Sequence, residues 1–135
     1  MTISQLARRA QVGTETIRFY EREGLLVQPR KPQDGYRQYS DDHLERVRFI
    51  KQCQGFGFTL QEAKDLLGML DRGEADCEPA CNLAKRKIAE LRKKIAEYEV
   101  LAQRLEALLD RPCASRRAAS CAVIARLRGN CGLMP

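Results

Sequence analysis

Residues 3–26 read ISQLARRAQVGTETIRFYEREGLL. Thr2 stands before this stretch and Gln5 lies three residues further on, the spacing of a capping box. Ile3, Leu6, Ala7 and Ala10 then recur at helical intervals. Gly13 permits a tight turn, Thr14 is placed to cap a second helix on which Ile17 and Tyr20 face inward, and Gly24 closes it. Two short helices joined by a tight turn make a helix-turn-helix.

Working outward, LLVQPRKPQDGYRQYS (residues 25–40) is broken by Pro29, Pro32 and Asp34-Gly35. Asp-Gly is the usual signal of a two-residue hairpin, so this segment is expected to be a small β-wing. Ser40, Asp41 and Asp42 open a third helix with Leu44, Val47, Phe49 and Ile50 on its apolar face, ended by Gly55 and Gly57. Thr59 and Glu62 form another capping box, opening a fourth helix that stops near Gly73. From about Ala80 to Asp110 no Gly or Pro interrupts the chain. Ile88, Leu91, Ile95, Tyr98, Ala102, Leu105 and Leu109 alternate three and four apart, a heptad seam. A helix of some thirty residues is about 45 Å long, too long to bury that stripe on so small a domain, so a second chain is expected. The fold class is mainly α.

The chain has 135 residues, room for one modest core or a small domain with an extension. Aromatic content of 6% against 31% charged residues favours helices with charged faces over a sheet sandwich. There is no run of 18 apolar residues and no basic-then-apolar leader, which implies a cytoplasmic protein with no membrane partner. The formal charge of +6 suggests a polyanionic partner, but residues 1–70 carry 11 Lys/Arg against 9 Asp/Glu, a balance of only +2. Charge is most one-sided after Asp110, where five arginines and no acid surround CASRRAASC (Cys113–Cys121). Six cysteines in a reducing compartment point to metal or redox chemistry rather than to disulfides.

The opening stretch, the block GYRQYSDDHLERVRFIKQCQGFGFTLQEAKDLL (residues 35–67) and the long helix flanked by cysteines resemble the MerR family of transcriptional regulators along nearly the whole chain. The resemblance implies a winged helix-turn-helix DNA-binding domain over residues 1–74, an antiparallel dimerisation helix over 75–110, and a metal-binding loop and tail over 111–135. A helix-turn-helix sets its second helix in the major groove. The candidate DNA contacts are therefore Thr16, Arg18 and Tyr20, with Tyr36, Arg37 and Tyr39 from the wing.

The metal-responsive branch of the family implies one cysteine before the dimerisation helix and two after it, positions held here by Cys77, Cys113 and Cys121. An antiparallel pair would bring Cys77 of one protomer to Cys113 and Cys121 of the other. Three thiolates without a nearby histidine suit soft ions; the single His43 lies in the other half of the chain, which argues against a Cys/His zinc site. The resemblance implies Hg(II) as effector, with Cd(II) and Pb(II) as alternatives because the loop is one residue shorter than in mercury-responsive members. No organic cofactor is called for. Arg116 and Arg117 are placed to favour thiolates. Cys53 reads as a core residue. Cys81 is an accessory ligand or transfer thiol, with Pro79 as an alternative helix start between it and Cys77. Cys131 lies in a Gly-flanked tail.

The expected function is promoter binding by a homodimer that shares its promoter with RNA polymerase and activates it by distorting the DNA. Rival readings are a regulator sensing thiol redox through Cys113 and Cys121, and a protein that sequesters soft metals. No Cys-His nucleophile pair or phosphate-binding glycine loop points to an enzyme.

Overall fold

The computed structural model describes residues 1–109 and 121–129, and Cys113 and Cys131 lie outside them. The helices are α1 (Ile3–Ala10), α2 (Thr14–Arg22), α3 (Asp41–Gly55), α4 (Leu60–Asp71), α5 (Glu78–Ala107) and α6 (Ala122–Leu127). The chain divides into two compact units, Met1–Lys87 and Ile88–Pro135.

In the first unit, local capping starts three helices. Gln5 N–H donates to Thr2 Oγ1 at 3.2 Å and Thr2 N–H to Gln5 Oε1 at 2.8 Å. Glu62 N–H and Thr59 N–H make the same reciprocal pair with Thr59 Oγ1 and Glu62 Oε1, at 3.1 and 2.8 Å. At α3 the partner of Ser40 is His43, whose Nδ1 accepts from Ser40 N–H at 3.1 Å. Its Nε2 is then the protonated nitrogen and donates to Val27 O at 2.9 Å, tying the wing segment to α3. His43 therefore has a structural role.

The turn between α1 and α2 departs from expectation. Gln11, not a glycine, occupies the left-handed region, with φ 58° and ψ 44°. Gly13 is extended at φ −81° and is itself the N-cap of α2, without a side-chain capping bond; Thr14 is already helical. Lys51 from α3 donates to Ala10 O at 3.2 Å and Gln11 O at 3.1 Å, covering the terminal carbonyls of α1 with a cation where the helix dipole favours one.

The expected β-wing is not a hairpin: among the described residues no strand forms. A type I′ turn needs positive φ at both central residues, and here Gly35 has φ 99° while Asp34 does not. The segment is held instead by discrete bonds. Tyr39 N–H donates to Met1 O at 2.6 Å, the terminal ammonium donates to Tyr39 O at 2.9 Å, and Arg37 Nε donates to Pro29 O at 2.9 Å.

Leu6, Ile17, Leu25, Val47, Ile50 and Leu67 form the centre of the core, where α1 packs on α2 and α3, and α3 on α4. Cys53 is buried on α3, and burial pushes its thiol pKa up, as suits an inert core cysteine. The first turns of α5 belong to this unit through Leu83 and Lys87, both buried. Lys87 Nζ lies 2.8 Å from Glu62 Oε1 and over the Phe58 ring. One carboxylate thus caps α4 and anchors α5.

In the second unit, Ile88, Leu91, Ile95, Tyr98, Leu101 and Leu105 are 44–68% exposed along α5. The α6 helix follows Cys121, its N-cap, and Arg126 donates to Ala107 O. Among the described residues no helix is long and apolar enough to cross a membrane.

Candidate functional site

The second helix of a helix-turn-helix is the reading element, and α2 exposes Arg18 and leaves Thr16 half-buried while Ile17 is fully buried. Arg18 is ion-paired with Glu15 at 2.9 Å on the same exposed face. Such a pair contributes little to stability, so the guanidinium can exchange partners at small cost. Tyr36 is 77% exposed at the tip of the wing segment. Arg37 is half-buried, its Nε spent on Pro29 O.

Arg18, Tyr36 and Arg37 border one groove of about 530 Å³, whose lining also includes Ser4 at the start of α1, Lys31 and Glu21. Three cations and a helix N-terminus around one concavity suit a phosphate backbone. Sequence reasoning missed Lys31 here; its only signal was position, next to Pro32 in a segment already assigned to the wing.

Two of the expected contacts have to be corrected. Tyr20 is 2% exposed and its hydroxyl donates to Gln54 Oε1 at 2.8 Å. Tyr39 is 4% exposed, donates to Glu21 Oε2 at 3.0 Å, and meets the His43 ring edge-on with centroids 5.1 Å apart. Both are core residues with a satisfied polar tip. Burial raises the pKa of each; for Tyr39 burial, then the hydrogen bond to and charge of Glu21, push it up to about 12. Glu21 was not foreseen. Among the described residues its Oε1 is buried without a hydrogen-bond partner, and the residue lines the same groove as the three cations.

Cys77 and Cys81 stand at the start of α5 and Cys121 at the start of α6. Cys77 immediately precedes Glu78, and its carbonyl accepts from Cys81 N–H at 2.9 Å, the first helical bond of α5. Asp76 Oδ1 accepts from Glu78 N–H at 3.0 Å. Pro79 therefore lies inside the first turn, where a missing N–H costs nothing, and does not separate the two cysteines. Both are exposed, with Cys81 Sγ 3.8 Å from Cys77 Sγ. The Cys81 pKa is raised, first by its hydrogen bond to Cys77 and then by that neighbour's charge. Cys121 is half-buried at the start of α6. Cys113, Arg116 and Arg117 lie outside the described residues, and among the described ones no group of three or more Cys, His, Asp or Glu gathers as a metal site.

Known proteins are similar to this chain in sequence and in fold. Residues 1–70 match the family described as MerR HTH family regulatory protein, and residues 44–108 match the one described as MerR, DNA binding. A mercuric resistance operon regulatory protein of Pseudomonas fluorescens is 41% identical over 137 aligned positions, covering 98% of this chain and 91% of its own. A transcription regulator of Ralstonia metallidurans solved in complex with lead(II) superposes with a TM-score of 0.85 at 34% identity, covering 94% of this chain and 98% of its own. The dual function regulator MerR of Bacillus megaterium, solved in complex with mercury(II), gives 0.72 at 34% identity, with 95% and 99% covered. With both family matches lying in order on the helix-turn-helix and the long helix, the chain belongs to the MerR family of helix-turn-helix transcriptional regulators.

Proposed function

We propose that this protein is a metal-responsive regulator of a heavy-metal resistance operon, acting in the cytoplasm as a homodimer on promoter DNA shared with RNA polymerase. The observation that carries this reading is the exposed thiol of Cys77 at the head of a 30-residue helix with an exposed apolar stripe, in a chain 41% identical to a mercuric resistance regulator. In this reading residues 1–74 bind DNA, 75–110 dimerise and 111–135 complete the metal site.

Hg(II) is the effector, and Cys77 of one protomer with Cys113 and Cys121 of its partner would hold it. When bound, the ion supplies a soft crosslink between thiolates of two chains, which oxygen or nitrogen donors serve less well. A site divided between protomers favours the dimer geometry that closes it, and only such a difference in affinity can shift the dimer. Arg18, Lys31 and Arg37 grip the backbone, Tyr36 and Thr16 lie alongside, and the DNA is bent and underwound at a cost on the order of 1–10 kcal/mol. Exposed thiols and a groove of cations fit these two tasks.

The test is an anaerobic titration of the reduced dimer with Hg(II), then Cd(II) and Pb(II), against excess small-molecule thiol, paired with transcription from the cognate promoter. Stoichiometric Hg(II) with thiolate-to-metal charge-transfer absorption, lost together with induction in Cys77→Ser, Cys113→Ser and Cys121→Ser, is expected. Operator binding should stay near wild type in all three. Retention of Cd(II) or Pb(II) where Hg(II) binds only non-stoichiometrically would replace the effector. Induction by disulfide formation, with no ion surviving competition, would replace the mechanism.

A further inference from the structure

Cys81 has no assigned task in the three-thiolate set, yet it is the best-placed partner of Cys77. The backbone fixes their relation. Cys77 caps α5, its carbonyl takes the Cys81 N–H, and side chains four apart on a helix share one face. Pro79 restricts the first turn, and the Asp76 carboxylate closes it from outside. Both sulfurs are exposed, so neither packing nor desolvation blocks access.

Their separation selects a coordination geometry. Two metal–sulfur bonds of about 2.3 Å that span the 3.8 Å between the sulfurs enclose an angle of roughly 110°. A linear two-thiolate ion would need sulfurs about 4.6 Å apart with the same bonds. The resting pair is therefore set for a bent, tetrahedral or pyramidal centre whose remaining positions face solvent.

We propose that Cys77 and Cys81 form a dithiol chelate within one protomer, which binds thiophilic centres of bent coordination without help from the loop thiols. Its regulatory use rests on the metal-responsive reading above; the chelate itself does not. Since Cys77 belongs to both sets, the pair captures an ion at the head of α5, where the partner's thiols would complete the larger site.

The probe is phenylarsine oxide, a trivalent arsenical. Two As–S bonds replace its arsenic–oxygen bond, and the oxygen leaves as water with the two thiol protons, so no oxidation state changes. The protein is the full chain carrying Cys113→Ser, Cys121→Ser and Cys131→Ser, with folding checked by circular dichroism and operator binding. One arsenic per protomer, consuming two thiols, is expected. Adding Cys81→Ser should weaken binding at least about 100-fold, because the second bond is intramolecular only in the pair. Binding unchanged by Cys81→Ser, or no binding by a triple variant that folds and holds its operator, overturns the chelate. In the otherwise native chain, Cys81→Ser should lose the extra arsenical site. Failure of Hg(II) induction in the wild type, with arsenical binding intact, would remove the effector assignment and leave the chelate standing.

Discussion

Residues 1–87 and residues 88–109 use apolar side chains in opposite ways. In the first region Leu6, Ile17, Val47, Ile50 and Leu67 are sealed by short helices crossing one another, and even the polar tips of Tyr20 and Tyr39 have partners. In the second, Ile88, Leu91, Ile95, Tyr98 and Leu105 line one long helix and remain largely exposed. Both stretches are amphipathic; what differs is whether the chain turns back soon enough to cover its own stripe. A domain that closes its core can recognise a ligand alone, whereas a helix that cannot do so makes its function depend on a second chain.

The largest effect should come from charging the uncovered stripe. Ile95→Glu, present twice in a dimer, is expected to leave a folded monomer by sedimentation analysis and to weaken operator binding at least about 100-fold through lost bivalency. A variant that stays dimeric would show that this face is not the interface.

Glu62→Gln tests how firmly the long helix is rooted in the self-contained region. The glutamine keeps the capping box with Thr59 but removes the carboxylate charge that lies 2.8 Å from Lys87, which is buried beside Phe58. A loss of about 2 kcal/mol is expected from denaturant unfolding, the size of a hydrogen bond between charged groups. The sign of its pH dependence follows from the Glu62 carboxyl, which Lys87 first and the Thr59 backbone second hold below its ordinary value. The stabilisation is complete above the ordinary carboxylate range and disappears as pH falls through the lowered value of the folded state. Wild type and Glu62→Gln should therefore converge in acid; a constant gap would mean that the damage is steric.

Tyr39→Phe removes the hydrogen bond donated to Glu21 Oε2, in a carboxylate whose other oxygen has no partner among the described residues. A cost of about 2 kcal/mol is expected in thermal or denaturant melts. An unchanged stability would show that water replaces the hydroxyl. Gln11→Gly should give the smallest change, a gain of about 0.5 kcal/mol, as relief of the left-handed strain slightly exceeds the added freedom of the unfolded chain. A loss would mean that the Gln11 side chain stabilises the turn.

What could be read in advance follows from interaction range. The capping boxes at Thr2 and Thr59, and the start at Ser40, are contacts across three residues and are visible in one window of sequence. The shared face of Cys77 and Cys81 is equally local, once Pro79 is recognised as a first-turn proline. A tyrosine such as Tyr39 suits a DNA backbone and a core with a polar edge equally well, and only the fold shows it buried, whereas Tyr20 already stands on the inward spacing of α2. The hairpin reading rested on Asp34-Gly35 alone, and the turn took a different backbone because Arg37, His43 and the terminal ammonium hold the segment from elsewhere. Glu62 and Lys87 lie twenty-five residues apart, and no pattern in either helix announces the other.

The sequence by itself determined the helices, three of their caps, the uncovered heptad stripe, the family and the positions of six thiols, because each depends on near neighbours or on composition. Only the tertiary structure decided which tyrosines are buried, which lysine roots the long helix, which residue turns left-handed and how far apart two sulfurs stand. Those properties belong to pairs brought together by folding, and the free energy of such a pair depends on distance and burial that no single stretch of chain contains.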